Sequence, residues 1–446
     1  MTGDLAEIKV DASRAVVYEH GWQSWSPSTT YRLGQRPFRP LSGDVRTMNY
    51  RPDRRAPRDA YQGEGLLALD PGDGGDLHVV GAASATAEVP SVRADVRSDR
   101  VVLSADGEVR YDRYPAGGGL DAALGRWAEE FARTVGVTAL RPAPTIWSSW
   151  YYYFEEITPA EVEDNVAAME DLGLDIDVVQ IDDGYQAEVG DWLRSSGRFS
   201  SLADAVARIR AGGRRPGIWI APFLVAEKSE LARDHPDWLV GGADAGVNWR
   251  QRLGVLDVTH AGAAAYLRQV FTHFRDLGVE FYKIDFVYAG ALAGQRADAS
   301  IDGGQAYRQG LRLIRNAIGP EAYLLGCGAP ILPSVGLVDA MRVSPDTAPH
   351  YEPEIADMSR PSQRAAALTG RGRAWQHGRF WVNDPDCLLA RPGVQRREEW
   401  ARHVEEFGGL RGSGDRLREL DDWGLETTRR LVTHVPAAPF SVAAAS

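Results

Sequence analysis

Phe281-Tyr282-Lys283-Ile284-Asp285-Phe286 is an apolar run interrupted twice by charge. Side chains alternate across a strand, so Lys283 and Asp285 share one face while Tyr282, Ile284 and Phe286 share the other. The apolar trio is expected to face covering helices. The charged pair then points into the interior of the sheet, where charge is costly unless a pocket opens. The ammonium also favours the ionised form of its neighbour, which a carboxylate nucleophile requires. A structural ion pair is the alternative reading of the same two residues. Lysine occurs elsewhere only at Lys9 and Lys228, and arginine supplies every other basic side chain. A lysine inside a strand therefore marks a place for a compact ammonium.

Working outward, apolar runs of strand length recur at 145–150, 178–182, 217–222, 323–326, 340–343 and 380–384. Amphipathic helical stretches separate them at 159–171, 202–211, 261–277, 306–317 and 361–370. Thr158, Pro159 and Glu161 form a start signal for the first of these helices. Continuous apolar strands alternating with helices predict a parallel sheet covered on both faces. An eighth strand near 409–413 would close it. The predicted fold class is α/β, a (β/α)8 TIM barrel preceded by an N-terminal all-β sandwich. Residues 1–120 supply the sandwich: short β-prone runs alternate with Gly, Pro and Asp turns, helical periodicity is missing, and 51–58 is an arginine-rich loop. Residues 121–143 carry Leu124, Trp127 and Phe131 at helical spacing and read as a linking helix. The catalytic barrel is then 144–430, and 431–446 is an irregular tail.

Composition excludes several functions. The net charge of −12 disfavours nucleic acid and anionic membranes as partners. Apolar stretches fall short of the roughly 20 residues of a membrane span. Met1 to Val10 lacks the basic and apolar regions of a signal peptide, so a cytoplasmic location is expected. Cys327 and Cys387 are too few for a disulfide framework, and the histidines form no zinc-type cluster, so no metal is expected.

Chemistry in such barrels sits at the C-terminal ends of the strands. The first strand ends in Trp147-Ser148-Ser149-Trp150, where aromatics either pack the rim or stack on sugar faces. Asp182 and Asp183 end the second; they read as a helix cap with a salt bridge, or as acceptors for sugar hydroxyls. Trp219 on the third is either core or pocket wall. On the fifth, Cys327 lies between Gly326 and Gly328, where backbone can approach a ligand. On the sixth, Arg342-Val343-Ser344-Pro345-Asp346 carries a second carboxylate into the loop beyond the strand, since Pro345 stops it. Asn383-Asp384-Pro385-Asp386 ends the seventh. Carboxylates on four strand ends with aromatic walls suit glycoside hydrolysis, which needs two carboxyl groups.

These motifs, from Trp147-Ser148-Ser149-Trp150 to Phe380-Trp381-Val382-Asn383-Asp384, make residues 145–390 resemble the catalytic barrel of glycoside hydrolase family 36, the retaining α-galactosidases. The resemblance implies Asp285 as nucleophile and Asp346 as acid/base. It implies Asp182 and Asp183 as ligands of O4 and O6 of galactose, Lys283 and Arg342 as contacts to ring hydroxyls, and Trp150 and Trp219 as walls. Cys327 matches a cysteine near O2, and Asp384 falls in the family's strand-seven motif. His20-Gly21-Trp22-Gln23-Ser24-Trp25 resembles the preceding sandwich, with Trp22 or Trp25 reaching the pocket. The implied reaction is hydrolysis of terminal α-galactose from a small-molecule galactoside, with no cofactor. Melibiose, raffinose-type oligosaccharides and galactomannan side chains all fit. Galactosyl transfer, action on α-N-acetylgalactosamine, and an inactive carbohydrate-binding barrel stay open beside it. The family's usual C-terminal β-domain is absent from the pattern after Trp423, which leaves a barrel edge for a second copy to cover in a homo-oligomer.

Overall fold

The computed structural model of the protein describes residues 3–86 and 88–437. Eight strands form one parallel sheet: Ile146–Ser148, Val178–Ile181, Arg215–Ile220, Phe281–Ile284, Tyr323–Gly326, Ala340–Arg342, Val382–Asp384 and Gly412–Ser413. Sequential strands are neighbours, and the eighth pairs with the first. The remaining edges meet through a parallel bridge between Leu388 and Ser413. Leu410 N–H donates to Asn383 at 3.0 Å and Leu388 N–H to Gly412 at 2.7 Å across the same seam. The eighth strand is only two residues long, and its glycine has a packing reason. A Cβ on Gly412 would lie 2.4 Å from Ile146 Cγ1.

Alternation along these strands separates two environments. Ile146, Val178, Phe281, Tyr323, Leu325, Ala340 and Val382 form a buried layer inside the sheet. Two residues further along the same inward faces come Ser148, Gln180, Lys283, Cys327, Arg342 and Asp384. The outward residues Val179, Ile218, Tyr282, Ile284, Leu324 and Met341 join the main core beneath the helices. Helix Ala261–Leu277 contributes Leu267 and Phe271, and helix Gly303–Ile318 contributes Leu311 and Ile314. Each large apolar side chain buried this way contributes about 1.5–3 kcal/mol. Helix Pro159–Asp171 begins with the expected capping box, in which Thr158 N–H donates to Glu161 at 2.8 Å.

The amino-terminal part holds two antiparallel sheets, one of four strands and one of five. Ile8, Tyr61, Val92 and Leu103 of the first share a buried cluster with Val17, Leu67, Leu69 and Val80 of the second. Helix Gly119–Val135 follows and sinks Leu124, Trp127 and Phe131 into the main core. Two elements depart from the sequence reading. A short helix, Gly43–Asn49, interrupts the stretch expected to be all-β, started by a Ser42 cap. A small antiparallel sheet of Leu224–Ala226, Val247–Asn248 and Gln251–Val255 follows the third parallel strand. Both are too short to leave a periodic signal. In the tail expected at 431–446, residues 438–446 lie outside the described residues. Among the described residues no helix is long and apolar enough to cross a membrane.

Arg373 ties the two parts together. It is fully buried and donates to the carbonyls of Gly21, Gln23, Ser24 and Ser26 on one side and of Val343 on the other, at 2.6–3.1 Å. Burial holds its guanidinium down to about 10. Those carbonyls carry its charge in place of an acid.

Candidate active site

Lys283 and Asp285 share the inward face that their spacing predicts, and there Lys283 meets Asp182 of the second strand. Lys283 Nζ lies 2.9 Å from Asp182 Oδ2 and 3.9 Å from Asp285 Oδ2. Burial alone would lower the pKa of this lysine, but Asp182 and Asp285 outweigh it and the net direction is up. Trp219 projects inward from the third strand and donates its indole N–H to Asp285 Oδ2 at 3.0 Å. The backbone N–H of Phe286 donates to Asp285 Oδ1 at 2.8 Å. Asp285 thus has a charge and two donors arranged around its oxygens, an environment suited to negative charge.

Asp183 faces a different set of donors. Gln186 donates to Oδ1 at 2.5 Å and the indole of Trp249 to Oδ2 at 2.8 Å. Burial nevertheless pushes its carboxyl up to about 6, against those two bonds.

The sixth and seventh strands supply the opposite wall. Arg342, buried, donates to Asp384 at 3.0 Å and to Asp346 at 3.2 Å, and lies 2.9 Å from Asp386. Tyr151 donates its hydroxyl to Asp386 and accepts from Arg342 at 3.2 Å. Asp346 sits beyond Pro345 with 27 % of its side chain open to solvent while protein crowds the rest. Burial first, then the charges of Asp386 and Asp285, push its carboxyl up to about 7, against Arg342 and Lys283. Cys327 lies within the fields of Asp285, Lys283 and Arg342, and burial pushes its thiol well up.

Aromatic residues line the rim unequally. Trp25 meets Phe286 edge-on at 4.9 Å. Gly328 makes that approach possible: its φ is +52°, and a Cβ there would lie 2.8 Å from the Trp25 ring. Trp150 packs on Phe154 at 5.3 Å and against the cluster containing Tyr151 and Cys387. Trp22 lines a separate, arginine-rich cavity in the amino-terminal part. Phe286 corrects the alternation argument. Its φ of +51° turns it off the strand toward Trp25 and Trp249, away from the helices it was expected to face.

Three further residues join the site without having been singled out as its members. Asp386 and Tyr151 were visible only as neighbours of Asp384 and Trp150. Trp249 gave no signal at all, because it arrives on a two-residue hairpin turn between Val247–Asn248 and Gln251–Val255.

The melibiase family profile matches residues 137–313. A 105-residue stretch is 33 % identical to the bifunctional α-galactosidase/sucrose kinase AgaSK of Mediterraneibacter gnavus, covering 22 % of this chain and 11 % of that protein. A 100-residue stretch is 31 % identical to the α-galactosidase AgaA of Geobacillus stearothermophilus, covering 21 % of this chain and 13 % of that protein. The matches thus span only a small part of these curated relatives. Among solved structures, the α-galactosidase TtGalA of Thermus thermophilus, in complex with p-nitrophenyl α-D-galactopyranoside, superposes with a TM-score of 0.80 at 27 % identity, over 97 % of this chain and 89 % of that one. AgaA, a GH36 α-galactosidase, shares the fold at a TM-score of 0.63 and 14 % identity, over 96 % and 61 %. The melibiase profile and these matches make the chain similar to the α-galactosidases of glycoside hydrolase family 36.

Proposed function

We propose that the chain is a retaining α-galactosidase built as a (β/α)8 barrel, 144–430, behind an amino-terminal β-sandwich, 1–120. The observation that carries this reading is the unequal treatment of two rim carboxyls. Asp285 is surrounded by an ammonium and two N–H donors, whereas Asp346 has its proton held up to about 7. A pair of acids whose environments differ in this way suits a nucleophile and a general acid. Asp346 gives its proton to the glycosidic oxygen as Asp285 attacks the anomeric carbon, and the bond to the leaving sugar breaks. Asp346, now a carboxylate, takes a proton from water, which attacks the galactosyl ester and releases galactose with the original configuration. Asp182, Asp183, Lys283 and Arg342 bind sugar hydroxyls, and Trp219 and Trp25 wall the pocket.

The substrate class is a terminal α-galactoside. TtGalA has been solved with stachyose, and an AgaA variant with raffinose. NMR of the first turnovers of p-nitrophenyl α-galactoside tests the reading. α-Galactose should form first and mutarotate afterwards. Initial release of the β-anomer, or no turnover at all, overturns it.

A further inference from the structure

The arginine-rich loop noted in the sequence takes no part in the site just described. It folds instead around a cavity of about 230 Å³ in the amino-terminal part, lined by Arg39, Arg46, Arg51, Arg54, Arg55 and Arg58. Only two carboxylates, Glu19 and Glu64, share that lining, and both are already engaged. Glu19 takes a bidentate pair from Arg39 at 3.0 and 2.9 Å. Glu64 takes Arg51 at 2.8 Å and, in addition, Gln62 and Ser91. Arg54 turns outward to Glu88 at 2.6 Å. Among the described residues no carboxylate pairs with Arg46, Arg55 or Arg58. Three arginines without a carboxylate partner thus line one recess of a chain whose net charge is −12.

A recess lined by arginines that lack acid partners concentrates positive potential and favours an anion. Guanidinium forks match the geometry of tetrahedral oxyanions and hold them in pairs of parallel bonds. The fixed pairs matter as well. Arg39 also donates to the carbonyls of Pro57 and Ala60, so the loop bearing Arg55 and Arg58 is tied in place. Trp22, Phe38 and Tyr50 line the same cavity beside the arginines.

We propose that this cavity is an anion site for a small molecule bearing a phosphate or sulfate group, separate from the galactoside pocket. The test is a thermal-shift titration of the full chain with sodium phosphate, with ionic strength held constant by sodium chloride. A saturable rise of about 2–4 °C is expected. It should vanish in an R46A/R55A/R58A variant that keeps its turnover of p-nitrophenyl α-galactoside. Phosphate acting no better than chloride, or equally well on the variant, overturns the proposal. If the triple variant does not fold, R55A/R58A, which alters exposed side chains only, serves in its place. A hexose 6-phosphate arm separates the sources. Saturation at lower concentration than inorganic phosphate means that the rings bind a sugar, and equal saturation means a free oxyanion.

Discussion

Asp346 combines its proposed acid/base role with a stability cost, and both follow from one shift. Its folded-state pKa is pushed up to about 7 from an ordinary 3.8. The folded chain therefore holds this proton more tightly than the unfolded chain. The unfavourable contribution begins as pH rises through the ordinary value and is complete above about 7. Asp346→Asn should accordingly raise Tm at pH 8 and leave it nearly unchanged at pH 3, as read by calorimetry, while turnover falls. Neighbouring charge gives a second prediction. Asp386 helps hold the Asp346 proton in place. Asp386→Asn should therefore move the basic limb of the kcat/KM profile to lower pH; a limb that stays put would leave Asp386 without this influence. For the proposed nucleophile, Asp285→Ala should lower kcat by at least about 10³-fold with Tm largely retained. A loss under tenfold would remove Asp285 from that role.

One short element shapes the pocket at some cost to itself. Trp249 and Arg250 form the turn of their hairpin with φ of +47° and +58°. Such turns ordinarily use Asn-Gly, because bulky residues resist the left-handed region. The strain is of order 1–3 kcal/mol per residue. What it secures is an indole N–H on Asp183 and a ring 5.2 Å from Phe286. Replacing Trp249-Arg250 by Asn-Gly should then raise Tm while raising KM about tenfold, since a hydrogen bond to a charged group contributes about 1.5–3 kcal/mol. Steady-state kinetics and thermal unfolding on the same variant check both halves. Gly412 shows the opposite case, a position where close packing against Ile146 leaves no room for a Cβ.

For the whole molecule, the junction between the two parts rests on Arg373 and on the loop 21–26. Ser24 N–H donates to Ala329 at 3.0 Å and Ile331 N–H donates to Trp22 at 2.9 Å, so this loop is held against the segment that follows Gly328. Removing the guanidinium would leave several buried carbonyls without a donor, each worth about 1–3 kcal/mol. Arg373→Met should lower Tm by more than about 5 °C and expose the amino-terminal part to limited proteolysis. Unchanged Tm would show that the junction is held by apolar packing alone. The same contact brings Trp25 to the active-site rim, so galactoside KM should rise in that variant too.

The local code reached far in the parallel sheet. Alternation fixed that Lys283 and Asp285 point inward, the Thr158–Pro159–Glu161 signal began its helix where expected, and the spacing of apolar runs located seven of the strands. These are nearest-neighbour properties, governed by backbone geometry and the period of burial. The partners of each charge were not legible in this way. Trp249 reaches Asp183 across 66 residues, and Arg342 meets Tyr151 across 191. The reversed direction of Phe286 and the diversion of Trp22 into the arginine cavity likewise depend on packing between elements distant in the chain. Sequence determined which residues could bear charge at the rim, because period and burial are local. Tertiary structure decided which of them hold a proton, because desolvation and field are sums over everything nearby.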